Sequence, residues 1–302
     1  AFVQDEARHD KIVAAANESA LASSFTGASL YNFLLGNLQE AIEWRRKSFF
    51  IRSANGHGYD RPNDLLHIGE IELALGNLNE ANNAIINAIN NAPTLNFANR
   101  DHILHLLSSA FAKKAYIDFQ QGKSFEASKY FEIALLVDQT RMESVYELHS
   151  ISGRLQTEFC LRIKDWSKAK KIIDWNIWAH TEEGWRRDLA DTKLMRGWYE
   201  IYQGELTNAE ESLNEAESIL HSSGMPEYII RLNYIWGLLA EGKDDYQRGL
   251  QYIKEVLLDC STKGYSILKA DILILKGRLR LLKFLAEDYE EEENKKKIIF
   301  SD

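Results

Sequence analysis

Leu206, Ala209, Leu213 and Ala216 place apolar and small residues at steps of three, four and three, with acidic and amide residues between them. That spacing puts all four on one face of a helix with 3.6 residues per turn. The residues just before, G-W-Y-E-I-Y-Q-G from Gly197 to Gly204, read as the end of another helix closed by a tight turn at Gly204. The stretch therefore predicts a helical hairpin, and the small Ala209 lets its two helices come close.

The pattern recurs along the chain. G-N-L-Q-E-A at 36–41 and G-N-L-N-E-A at 76–81 are nearly identical, and Q-G-K-S-F-E-A ending at Ala127 is a third copy, with Phe125 one place late in the frame. A fourth, I-K-D-W-S-K-A ending at Ala169, carries Lys164 where the others carry a turn glycine. The hairpin above is the fifth. The sixth, W-G-L-L-A-E-G-K-D-D-Y-Q-R-G from Trp236 to Gly249, has Gly249 as its small residue, and Tyr246, Ile253 and Val256 complete its steps. The small residues fall at 41, 81, 127, 169, 209 and 249, with spacings of 40, 46, 42, 40 and 40. A hairpin cannot bury its apolar face alone, so units repeating at this period stack into a solenoid whose first helices line a binding surface.

The flanks complete the outline. Residues 1–21 predict an N-terminal capping helix with Phe2, Ile12, Val13 and Ala16 available for packing, followed by a second helix over 22–35. A-N-G-H-G-Y-D-R-P at 54–62 is the clearest non-helical segment. A helix over 264–286 starts a seventh unit, with Lys276-Gly277 matching Trp236-Gly237 and Arg196-Gly197, but its partner never develops, so it acts as a C-terminal cap. Residues 287–302 form a charged tail or solvated helix extension. With three prolines and no Pro-, Ser- or Gly-rich linker, 1–286 reads as one continuous repeat domain.

These units resemble tetratricopeptide repeats: a large-small pair on the first helix (Ile68-Gly69, Arg196-Gly197, Trp236-Gly237), a turn glycine, Leu or an aromatic, then Ala. The family repeat is about 34 residues, so the longer spacings imply longer helices or connections. With S-S-G-M-P-E-Y-I-I-R-L-N-Y-I-W-G at 222–237 as a connector, the array is also similar to the superhelical sensor domain of the maltotriose-responsive transcription activator and to repeat arrays of other signal-transduction ATPases. The resemblance implies an all-α, right-handed superhelical solenoid of about six helix-turn-helix repeats plus terminal helices. It also implies a receiving role, for a protein or for a small-molecule inducer, without the ATPase module.

Composition narrows the partners. The 36 basic against 45 acidic residues give a net charge of -9, which argues against direct binding to nucleic acid or to an anionic membrane surface. No apolar run reaches the roughly 20 residues that span a bilayer, and the first residues are too charged for a signal peptide, so a soluble, cytoplasmic protein is expected. The chain opens at Ala1 rather than Met, which fits a segment of a longer polypeptide. Oligomeric state has no signature here. Cys160 and Cys260 lack metal or redox spacing and read as buried thiols.

Candidate chemistry is sparse. G-K-S at 122–124 lacks the earlier glycine of a phosphate loop, since Ile117 stands there in a helical setting. His102 and His105 are three apart on a helix, but no third ligand completes a metal set. No Ser, His and Asp grouping stands out, so the expectation is a non-enzymatic module with no catalytic residue, cofactor or metal. The inward positions of the first helices collect Glu70, Tyr116, Phe119, Gln120, Arg154, Glu158, Arg162, Asp191, Trp198, Tyr202, Arg231, Tyr234 and Arg278. Arginine forks and aromatic rings suit carboxylates and backbone carbonyls of a protein or peptide; the same residues also suit local ion pairing between repeats. Six of the seven tryptophans lie between 166 and 236, which fits either a small-molecule pocket or core between long helices.

Overall fold

A computed structural model describes residues 2–54, 61–92, 100–220 and 225–299, with side chains placed for 16–54, 61–92, 100–220 and 225–288. The described residues form thirteen α-helices and no strand. They are α1 (Phe2–Leu35), α2 (Leu38–Ala54), α3 (Arg61–Leu75), α4 (Leu78–Asn91), α5 (Arg100–Gln120), α6 (Ser124–Arg141), α7 (Ser150–Arg162), α8 (Trp166–Glu182), α9 (Arg186–Gln203), α10 (Leu206–Leu220), α11 (Pro226–Gly242), α12 (Tyr246–Lys263) and α13 (Lys269–Ile299). The chain divides into two compact units, Ala1–Gly184 and Trp185–Asp302. No composition shift marks that boundary. Unit 1 holds the pairs α1·α2, α3·α4, α5·α6 and α7·α8; unit 2 holds α9·α10, α11·α12 and the unpaired α13.

One turn builds all six pairs. A residue with positive φ ends each first helix: Gly36, Gly76, Gly122, Lys164, Gly204 and Asp244. The next N–H reaches back five residues to a helix carbonyl, from Asn37 to Asn32, Asn77 to Glu72, Lys123 to Asp118, Asp165 to Cys160, Glu205 to Glu200 and Asp245 to Ala240, at 2.8–2.9 Å. This is the six-to-one bond of the Schellman motif, which satisfies a carbonyl the helix end leaves open. The residue after that bond's donor starts the second helix. Five residues beyond each left-handed residue stand Ala41, Ala81, Ala127, Ala169, Ala209 and Gly249, each buried, with its N–H on the carbonyl at the second helix's N-cap. In the sixth turn the left-handed residue is Asp244, two places after Gly242.

The small residues set how close the helices run. A Cβ on Gly197 would lie 2.8 Å from Leu213 Cδ2 and 3.0 Å from its Cγ, so the glycine is a notch for that leucine. Gly69 receives Ile85, and Gly237 receives Ile253, in the same way. Phe125, one place late in sequence, turns outward and is 69% exposed, whereas Leu38, in frame one place earlier relative to its turn, is 1% exposed.

The expected break after residue 21 meets a different outcome. α1 runs unbroken through residues 21 and 22, because nothing between Glu18 and Leu35 except Gly27 opposes a helix, and one glycine costs only about 1 kcal/mol. The side chains of Phe2, Ile12 and Val13 lie outside the described residues, as do positions 55–60 of the non-helical segment and 221–224 of the connector. α13 continues as helix through most of the charged tail, to Ile299.

The first three helices share a polar core. Asp64, fully buried on α3, takes Arg52 Nη1 at 2.8 Å on both oxygens and Arg45 Nη1 at 3.2 Å. Arg45 Nε reaches Ser29 Oγ on α1, which itself donates to the Ala41 carbonyl at 2.8 Å. α1 is thereby tied to α2 and α3 by directed bonds, which fix orientation more sharply than apolar contact alone.

Candidate functional site

The turn fixes which first-helix residues align from repeat to repeat. Six residues before the left-handed position stand Glu70, Tyr116, Glu158 and Trp198. In unit 1, adjacent members of this row touch: Tyr116 Oη donates to Glu158 Oε1 at 2.7 Å, from α5 to α7. Glu158 is fully buried and also accepts from Arg162 Nη2 at 3.1 Å, so its charge is balanced within its own helix. Phe119 packs its ring edge-on against Phe159 at 5.2 Å and lies 6.3 Å from Tyr116. Gln120 is half-buried at the end of α5.

Electrostatics join α3 to the same row. Burial works against ionisation of Glu70, but the charge of Lys113, a hydrogen bond from His67 Nδ1 at 3.2 Å and the charge of Arg154 outweigh it. They hold the Glu70 carboxyl down at about 2. Lys113 and Arg154 are themselves buried, 4% and 8% exposed, and Lys113 Nζ donates to Ser109 Oγ at 2.9 Å. Thus α3, α5 and α7 contribute Glu70, Lys113, Arg154, Glu158 and Arg162, three cations and two anions, with the Tyr116 hydroxyl bonded to Glu158. Such a row offers donors to a carboxylate or a backbone carbonyl and keeps acceptors for amides.

Unit 2 carries the remaining candidates in a drier form. Trp198 on α9 meets Tyr234 on α11 edge-on at 5.8 Å, and Tyr202 lies 6.2 Å from Trp198. Trp198 and Tyr234 are buried, and Tyr202 remains 45% exposed. Arg231, buried, donates from Nε to Glu227 Oε1 at 3.2 Å; Arg278 on α13 holds Glu241 through two bonds, the one from Nε at 2.8 Å. Asp191 is buried on α9.

Sequence reasoning missed Lys113, Glu227 and Glu241. Lys113 stands three residues before Tyr116, one turn along the same face of α5, so the helical spacing that gave Tyr116 was the signal that could have found it. The two glutamates were passed over because exposed carboxylates are abundant on every helix. Within the tryptophan-rich stretch, Trp175 meets Tyr146 edge-on at 5.2 Å and lies 4.8 Å from Trp178 in unit 1, and Trp236 stacks with Tyr252 in unit 2. Trp178 and Trp185 are exposed.

Metal-ligand and thiolate chemistry are two candidates in the sequence. No group of three or more His, Cys, Asp or Glu side chains there is placed to hold a metal, and His102 Nε2 lies 2.9 Å from Asn63 Nδ2. Burial, reinforced by Asp165, pushes the Cys160 thiol up to about 12, and burial with Asp259 pushes Cys260 up to about 11, so neither supplies a thiolate. No described helix is long and apolar enough to cross a membrane.

No protein-family model matches the chain, and no curated protein does. Solved structures do. The chain is similar to a Rap protein complexed with competence and sporulation factor, at a TM-score of 0.54 and 14% identity, over 88% of this chain and 66% of that one. It is also similar to a tetratricopeptide repeat protein from Parabacteroides merdae ATCC 43184 (TM-score 0.42, 14% identity, 86% of this chain and 99% of that one). The TPR2AB domain of yeast Sti1 in a pHSP90 complex aligns with a TM-score of 0.33 and 13% identity, over 86% and 99%. At such identities the likeness is one of fold, and the chain has a tetratricopeptide-like helical-repeat fold.

Proposed function

We propose that this chain is a non-enzymatic scaffold that recognises a protein or peptide segment along the inward row of unit 1, within a regulatory or signalling assembly. The observation that carries this is the row itself: ionic and aromatic side chains at one fixed distance from successive turns, joined across helices by the Tyr116–Glu158 bond and the Glu70–Lys113–Arg154 charges. Groups held this way are oriented before a partner arrives, which lowers the ordering cost of binding. The similarity to the Rap protein in complex with a factor supports the reading at the level of fold. Glu70 and Arg162 keep 17% and 20% of their side chains exposed, which leaves the row accessible at its edges.

The test is retention of a partner from a lysate of the source organism by the immobilised chain. Retention that falls with added salt and is lost in the Arg154→Ala, Arg162→Ala double variant is the expected result. Retention that ignores both salt and the two substitutions refutes the assignment of the row.

A further inference from the structure

Three aromatic rings on second helices carry a cation from their own helix. Lys47 Nζ stands 4.1 Å from the centre of the Trp44 ring on α2, Lys129 Nζ 4.1 Å from that of Phe125 on α6, and the Arg248 guanidinium 5.7 Å from that of Tyr252 on α12. Each cation is three or four residues from its ring, the spacing that makes side chains neighbours on a helix. α8 breaks the pattern. Trp178 lies nine residues past the buried Ala169, which at about 100° per residue puts it directly opposite the packed side, and it is 55% exposed. The positions three and four residues from it hold Asp174, Trp175, Thr181 and Glu182, two carboxylates and no cation. Among the described residues no lysine or arginine is placed over the rings of Tyr146, Trp175 or Trp178.

The three rings make a platform. Trp175 and Trp178 lie 4.8 Å apart, tilted by 38°, and Tyr146, 68% exposed, braces Trp175 edge-on at 5.2 Å. We propose that this platform binds an arginine side chain in a basic segment of a partner protein, with the guanidinium stacked on Trp178 and forked to Asp174 or Glu182. The arrangement selects among cations. A guanidinium is flat and offers paired donors, so it can lie on an open ring and bond a flanking carboxylate at once. A lysine ammonium satisfies the charge but is a strongly hydrated point without a flat face, and a trimethylammonium has no donor for the carboxylates. Both acids are exposed on α8, and Asp174 binds Lys170 through Oδ2 while keeping 52% of its side chain exposed. The net charge of -9 draws a basic segment toward the protein. The platform stands on a second helix, apart from the first-helix row, and does not depend on that row's role.

The probe is a short fluorescein-labelled peptide of alternating glycine and arginine, titrated with the full chain at physiological ionic strength and followed by anisotropy. Saturable binding is expected, at least about fivefold tighter than that of the same peptide made with lysine or with citrulline, the neutral isostere of arginine. Trp178→Ala should weaken binding at least about fivefold and leave helix content and thermal midpoint as in the wild type, because the ring is more than half exposed. The Asp174→Asn, Glu182→Gln double variant should weaken it too and erase the preference over lysine. The Arg154→Ala, Arg162→Ala chain should bind the peptide as the wild type does, which separates the platform from the inward row. Failure to saturate overturns the proposal, as does equal affinity for the lysine peptide. Binding that Trp178→Ala leaves unchanged also overturns it, since that is diffuse attraction to an acidic protein. So does a trimethyllysine peptide that outcompetes the arginine one, because the rings then hold a methylated ammonium instead.

Discussion

Replacing Gly197 and Gly277 by alanine in turn measures how the notch works, since the two positions share a frame and a unit but differ in what faces them. In each, alanine gains about 0.8–1.0 kcal/mol of helix propensity. At Gly277 nothing offsets that gain, because no atom lies within 4 Å of the added methyl. At Gly197 the methyl would press on Leu213 Cδ2 at 2.8 Å, on its Cγ at 3.0 Å and on the Ala209 carbonyl at 3.4 Å. Leu213 is fully buried and has no room to swing away, so α9 and α10 must part, at a cost of about 1–3 kcal/mol for overpacking. Gly277→Ala should therefore stabilise the protein by about 1 kcal/mol, and Gly197→Ala should leave it between neutral and about 2 kcal/mol less stable. Urea unfolding of the full chain reads both in the transition of unit 2, where 1 kcal/mol moves the midpoint by about 0.3–1 M. Equal midpoints for the two variants, or a Gly277→Ala chain weaker than wild type, would refute the notch and with it the open space at Gly277.

Asp64→Asn should destabilise unit 1 by about 3–5 kcal/mol, because it leaves Arg45 and Arg52 buried without their shared anion; a loss below 1 kcal/mol by denaturant titration would show the pair to be solvated. Lys164→Gly, which relieves a left-handed lysine at φ 64°, should stabilise unit 1 by about 1 kcal/mol in the same assay, and a destabilisation would mean that the turn is held by the side chain. Glu70 is held at about 2, below its ordinary 4.5, so its contribution is fully present above about pH 4.5 and is lost as the pH falls toward 2. Glu70→Gln should flatten the stability profile across that window while lowering stability at pH 7; an unchanged slope would remove Lys113 and Arg154 as its partners.

The pair register was legible in the sequence because two short-range rules fix it. A residue tolerant of positive φ must end the first helix, and a small one must follow five places on where the backbones approach. Lys164 and Asp244 show the limit of the first rule, since at both turns the bond geometry was kept and the glycine was not. The continuity of α1 was not legible, because a helix ends only where something stops it and residues 20–22, A-L-A, stop nothing. The site divided the same way. Position in the frame gave Glu70, Tyr116, Glu158 and Trp198, whereas Lys113, one turn before Tyr116 on the same face, joins them through its charge on Glu70 of another helix, a tertiary relation. The burial of Trp198 and Tyr234 likewise depends on how α9 lies against α11, a tertiary property.

The shared turn separates the length of the chain from its phase. Repeat lengths vary between 40 and 46 residues, yet the left-handed residue, its back-bonded neighbour and the small residue five places on never change their mutual spacing. The variation is taken up outside the turn, in the lengths of the helices and in the connections between pairs. An insertion in a connection leaves every inward side chain aimed as before, whereas one extra residue between Glu158 and Lys164 would rotate the row on α7 by about 100°. Evolution can thus rewrite what the row presents one residue at a time, and lengthen the connectors freely, without either edit disturbing the other.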